Sequence, residues 1–176
     1  MEKNPPERLF SKNLIFVDTE FSTLDPYQGE ILSIGLVKLN GEELYLELEY
    51  EGETSDFVKK HILPTFSNKK VSREEARKQI KEFVGGGAPY MVSLVNQFDV
   101  IYLYKLFSAD TQPFFWLPID FASILFAEGY DPEKYLKFAK TLGINTNRYP
   151  PHHALYDAKL LREVFMKFFN ITSEIG

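Results

Sequence analysis

Three extended runs come before any helix signal in this chain, and a fourth follows two helices. Leu14–Asp18 is a short apolar run, Glu30–Leu39 a second, and Glu43–Tyr50 a third that alternates strictly and so has one polar face. Asn40-Gly41 joins the last two and marks a hairpin, because both residues tolerate positive φ. Ser55–Leu63 reads as a short helix capped by Ser55 and stopped before Pro64. Ser72–Val84 reads as a longer one, with a capping box of Ser72 and Glu75 and a stop at Gly85-Gly86-Gly87. Pro89–Val95 is a buried strand. Asn96 then leads into an amphipathic helix through Phe107. Further helices are expected over Ile119–Phe126, Pro132–Leu142 and His153–Phe169. Strands first, then helices around one more strand, make an α/β layered domain with a mixed sheet.

A chain of 176 residues, 44% apolar and 26% charged, can bury one core. Residues 1–12, with Pro5-Pro6, read as a flexible arm and 13–176 as a single domain. No segment is apolar enough to act as a signal peptide or to span a membrane. The absence of cysteine excludes disulfides, thiolate metal sites and cysteine nucleophiles, and fits a cytoplasmic location. The net charge of −5 speaks against nucleic-acid binding at face value. Bound divalent cations would reverse that sign locally.

Four acids stand against apolar sequence, where an unpaired carboxylate is costly. They are Asp18 and Glu20 in LIFVDTEF, Asp99 in VNQFDVIYL, and Asp157 in HHALYDA, five residues after His152. Asp18 and Glu20, two apart in a strand, share a face. Oxygen-rich acidic clusters suit Mg²⁺ or Mn²⁺, and paired ions of this kind serve phosphoryl transfer. Singly, each acid has an ordinary reading: strand end, loop residue, helix cap, or partner of a basic residue one turn on. Together those readings require four coincidences.

The three segments, in this order and context, resemble the DEDDh branch of the DnaQ-like 3′→5′ exonucleases, whose fold is ribonuclease H-like. The resemblance runs from about residue 13 to 170. Within the family, ILSIG (31–35), FVKKHILP (57–64) and LPIDF (117–121) are similar to small RNase AS-like exoribonucleases. The resemblance implies removal of nucleoside 5′-monophosphates from the 3′ ends of single-stranded RNA, with two Mg²⁺ or Mn²⁺ ions and often as a homodimer. It makes Asp18, Glu20, Asp99 and Asp157 the metal ligands, with Asp18 bridging. It makes His152 the general base, on a segment that swings in with substrate. Phe21 stands where the family meets the terminal nucleotide, and Asn96 and Phe98 lie at the entrance of the second motif, where a ring could stack on a base; for Phe21 and Phe98, base contact and core packing are equally open. A proofreading-type DNA exonuclease and an inactive nucleic-acid-binding module of the same fold are the alternatives.

Other residues carry weaker signals. His153 competes with His152 but reads as a surface residue, and His61 as a helix-face histidine. Lys59, Lys60, Lys69, Lys70, Arg73, Arg77 and Lys78 are either phosphate contacts or a solvated face. Trp116, with Phe114 and Phe115, reads as core or dimer interface, and Tyr102 and Tyr104 as helix packing.

Overall fold

The computed structural model describes residues 13–67, 69–107 and 111–171, so the arm expected over 1–12 lies outside the described residues. Six strands form one mixed sheet. They are β1 (Leu14–Phe21), β2 (Ile31–Lys38), β3 (Glu43–Leu48), β4 (Lys70–Val71), β5 (Tyr90–Ser93) and β6 (Ile119–Asp120). Their spatial order is β4-β3-β2-β1-β5-β6. The first three pair antiparallel, while β5 joins β1, β6 joins β5 and β4 joins β3 in parallel. The helices are α1 (Arg73–Val84), α2 (Asn96–Leu106), α3 (Phe121–Ala127), α4 (Tyr135–Thr141) and α5 (Ala154–Phe168). No helix among the described residues is long and apolar enough to cross a membrane.

Alternation along β1 divides the core into two layers. Ile15 and Val17, with Ile34, Leu36 and Leu46, pack against Ala76 and Ile80 of α1 and Leu103 and Leu106 of α2. Leu14 and Phe16, with Val37 and Leu39, pack against Phe121 of α3, Phe138 of α4 and Leu161, Val164 and Phe165 of α5. Each large apolar side chain buried in this way contributes about 1.5–3 kcal/mol.

Local chemistry explains most boundaries, and the structure corrects several expectations. The β2–β3 turn uses Gly41 alone at positive φ (95°); Asn40 keeps negative φ and its side chain caps the turn through Glu42 N–H. Ser72 caps α1 through Glu75 N–H at 3.2 Å. The return half of the capping box is replaced, because the Glu75 carboxylate accepts from Gln79 instead. The 55–63 helix is not regular. It opens with Ser55 Oγ accepting from Val58 N–H, widens to a π-type turn over Val58–Ile62, and tightens to a 3-10 turn over Leu63–Thr65. Pro64 therefore sits inside that last turn rather than ending the helix, a position where its missing N–H costs nothing. Ile119 and Asp120 are strand, not helix, and Asp120 caps α3 by accepting from Ala122 and Ser123 N–H. Pro132–Lys134 is a 3-10 turn ahead of α4. Helix α2 is not a clean amphipath: Asp99 is buried on it, while Ile101 and Tyr104 are exposed.

One glycine sets the distance between sheet and helix at the point that matters. Gly35 lies opposite Asp18 on β1 and Tyr45 on β3. A Cβ there would stand 2.3 Å from the Ala154 carbonyl oxygen and 2.4 Å from Leu155 N. The first turn of α5 thus rests on bare backbone, helped by the small, fully buried Ala154 and Ala158. Gly35→Ala must push the N-terminus of α5 off the sheet. We expect a loss of about 1–3 kcal/mol in denaturant unfolding, with a larger fractional loss of any activity that needs α5 seated.

Candidate active site

The site forms where α5 descends on β1. Asp18 and Glu20 project from the α5 face of β1, at its C-terminal end. Asp157 comes down from the first turns of α5, its Oδ2 accepting the His153 backbone N–H at 3.2 Å. Ligand oxygens of Asp18, Glu20 and Asp157 lie within 4.8 Å of one another. Thr19 points to the opposite face, where its hydroxyl donates to Asp99 Oδ1 at 2.6 Å. That bond ties the start of α2 to β1 and brings the fourth acid to the group. Glu20 is 8% exposed and Asp99 5%.

A cavity of about 490 Å³ is lined by all four carboxylates and by His152, with Phe21, Phe57 and Phe98 among its apolar walls. A second cavity, about 540 Å³, shares Asp18, His152 and Asp157 and extends to the start of α4. The two cavities meet at these shared residues, one reaching toward Phe21 and Phe98 and the other toward α4.

Burial raises every acid in the group, and repulsion between the carboxylates adds to it at Asp18 and Glu20. Asp18 is held well above the usual carboxylate range by burial, then by the charges of Asp99, Asp157 and Glu20. Glu20 is pushed up to about 8 by burial, then by Asp157 and Asp99. Burial raises Asp99 to about 7, against the Thr19 hydrogen bond that favours its charged form. Burial raises Asp157 to about 6, against the backbone N–H of His153. None of the four forms an ion pair with a basic side chain among the described residues.

His152 takes φ 61°, in the left-handed region that a non-glycine residue adopts at a cost. Its ring meets Phe57 edge-on at 5.0 Å and lies 6.2 Å from His61. Burial, then the neighbouring His61, lowers its pKa below the ordinary histidine value. It is therefore neutral, and free to accept a proton, at neutral pH.

A family model described as an exonuclease, RNase T, matches residues 15–165, and so carries all four acids and His152. The chain belongs to the RNase T exonuclease family. No curated protein matches it. The mixed six-stranded sheet flanked by helices is that of the DnaQ-like, ribonuclease H-like exonucleases.

Exonucleases of this type use divalent metals, and the exonuclease domain has a place for them. Three carboxylates whose oxygens converge, none neutralised by Lys or Arg, form a hard donor set suited to Mg²⁺ or Mn²⁺. Raised carboxylate pKa values mean that the metal-free fold favours the protonated acids. That stability is complete below their unfolded values near 4 and is lost as pH rises through about 6, 7 and 8. Metal-free protein should therefore melt lower at pH 8.5 than at pH 5, on the order of 5 °C. Mn²⁺ should restore more at pH 8.5, where fewer protons compete. Thermal scans at the two pH values, with and without Mn²⁺, check both halves.

The neighbouring residues divide. Phe21 and Phe98 both line the first cavity and also pack, with centroids 5.3 Å apart and Phe21 stacked on Tyr102 at 4.7 Å. Asn96 opens α2 but is not among the residues lining either cavity. His153 is not a surface residue. It is half-buried and stacked on Tyr45 at 4.4 Å, because the polar face of β3 turns inward toward α5. On that same face Glu47, 2% exposed, accepts from Ser67 N–H and the Tyr45 hydroxyl. Trp116 is 72% exposed and so is not core, although Phe114 is buried. Of the basic run, Arg73 pairs with Glu30 and Arg77 donates to the Leu106 carbonyl, while Lys59, Lys60, Lys69, Lys70 and Lys78 are exposed.

Sequence reading missed Thr19 and Phe57, and took His61 for an ordinary helix-face histidine. Thr19 was legible in principle: the middle residue of D-x-E must face the other layer, where Asp99 also lies. Phe57 and His61 meet His152 from either end of the irregular segment whose π-type turn no local signal announces.

Proposed function

We propose that this exonuclease removes nucleotides from the 3′ ends of single-stranded RNA, releasing nucleoside 5′-monophosphates. The observation that carries the reading is the single cavity in which four carboxylates, one neutral histidine and two stackable rings meet. Two Mg²⁺ or Mn²⁺ ions would be held by Asp18, Glu20, Asp99 and Asp157, and would activate water and neutralise charge at phosphorus. The protein's own part is orientation and proton transfer. Thr19 fixes Asp99, and the His153 backbone fixes Asp157. His152 accepts the proton of the attacking water as its oxygen bonds to phosphorus and the P–O3′ bond breaks, the departing 3′-oxygen of the shortened strand taking a proton from solvent. Phe21 and Phe98 offer faces to the terminal base, a contact that tolerates any sequence. Asn96, at the start of α2, is retained as a contact to the same nucleotide. Support for RNA comes from the likeness of ILSIG, FVKKHILP and LPIDF to small exoribonucleases. A homodimer belongs to the same reading, and the exposed Trp116 and Leu117 supply apolar surface for one.

The test uses matched 5′-labelled RNA and DNA strands with Mn²⁺. Expected is stepwise shortening from the 3′ end, faster for RNA, with 5′-monophosphates as product. Faster shortening of DNA would move the assignment to a DNA exonuclease. Binding of either strand without any shortening would make the domain a binding module.

A further inference from the structure

The second cavity has features that the carboxylate site does not use. Tyr135 opens α4 and is 8% exposed. Its hydroxyl oxygen is buried and has no hydrogen-bond partner among the described residues. Buried hydroxyls are nearly always partnered, so an orphan at the wall of a cavity points to something that enters it. Burial raises its pKa, as do the charges of Asp157 and Asp18, so the hydroxyl keeps its proton and feels both acids. Lys137, on the same helix, lines the same cavity. It is exposed and has no ion-pair partner among the described residues, whereas Lys134 is held by Asp131 at 2.6 Å. Leu94, Leu160 and Leu161 supply apolar wall. One free cation, one buried donor and an apolar wall, beside a set of carboxylates, suit a sugar–phosphate chain.

We propose that this cavity holds the strand upstream of the scissile bond, with Lys137 contacting a phosphate and the Tyr135 hydroxyl donating a hydrogen bond to the strand. The assignment rests on the exonuclease reading above, in which the aromatic cavity takes the terminal nucleotide. The strand then crosses the carboxylates from one cavity to the other, and both residues are substrate contacts outside the metal set.

The experiment compares Lys137→Glu and Tyr135→Phe with wild type, using a five-nucleotide single strand and Mn²⁺. A nucleoside 5′-monophosphate, which fills only the aromatic cavity, serves as competitive inhibitor. Lys137→Glu should raise KM for the strand about tenfold and flatten its salt dependence. Tyr135→Phe should raise KM about fivefold, as expected for one lost hydrogen bond. Its Tm should hold or rise, since an orphan hydroxyl is gone. The inhibition constant of the monophosphate should stay unchanged in both. Wild-type KM in both variants, an inhibition constant that rises in step with KM, or a fall in Tm for Tyr135→Phe would overturn the assignment while leaving the exonuclease reading intact. A wild-type protein that does not shorten the strand would remove both.

Discussion

Replacing Asp18 by Asn should lower strand hydrolysis by about 10³-fold or more, equivalent to about 4 kcal/mol of lost transition-state stabilisation. Asp18 faces three other carboxylates and has no basic partner among the described residues. Its charge is a burden to the metal-free fold and becomes useful only with a cation present. The variant should therefore show two opposite effects. Activity should vanish, while metal-free Tm at pH 8.5 should rise, because a buried repelling charge has been removed. The Mn²⁺-induced rise in Tm should shrink at the same time. A misfolded variant would lose Tm in every condition, so thermal scans beside activity assays separate the two outcomes. An active Asp18→Asn enzyme would mean that the acids are not the working site.

Replacing His152 by Ala should cost about 10²–10⁴ in kcat, the range for a positioned general base. Here the metal response should survive, since His152 contributes nothing to the convergent acids. That contrast distinguishes proton transfer from metal holding. The pH profile adds a second readout. In wild type the acid limb should lie below the ordinary histidine value, because burial and His61 both disfavour the imidazolium. His61→Ala removes one of those influences and should move the limb upward. Loss of the limb in His152→Ala, with the remaining activity flat in that range, is the expected pattern. An unchanged limb would assign it to another group.

Much of this was legible in the sequence because the signals are local. Alternation placed Asp18 and Glu20 on one face of a strand, and the Ser72 cap and Gly85 stop framed α1 within a residue. The last helix, with His152 just ahead of it and Asp157 in its first turns, was readable as a helix. Less legible were features fixed by tertiary contact. Strands β4 and β6 are two residues each and exist only through their neighbours β3 and β5. His153 looked exposed because nothing in its own segment reveals that Tyr45 waits across the sheet. Tyr135 carried no signal in the sequence, since its orphan hydroxyl is visible only once α4 is set against Asp18 and Asp157. Even the role of Gly35 is tertiary: the residue is unremarked in a strand until α5 lands on it.

The most direct measurement is an anomalous diffraction map from crystals soaked with Mn²⁺ and a nucleoside 5′-monophosphate. Two peaks are expected against the carboxylate oxygens of Asp18, Glu20 and Asp157, with the base beside Phe21 and Phe98. An intact fold with Mn²⁺ bound elsewhere, or with no peak at these acids, would contradict a metal-dependent exonuclease.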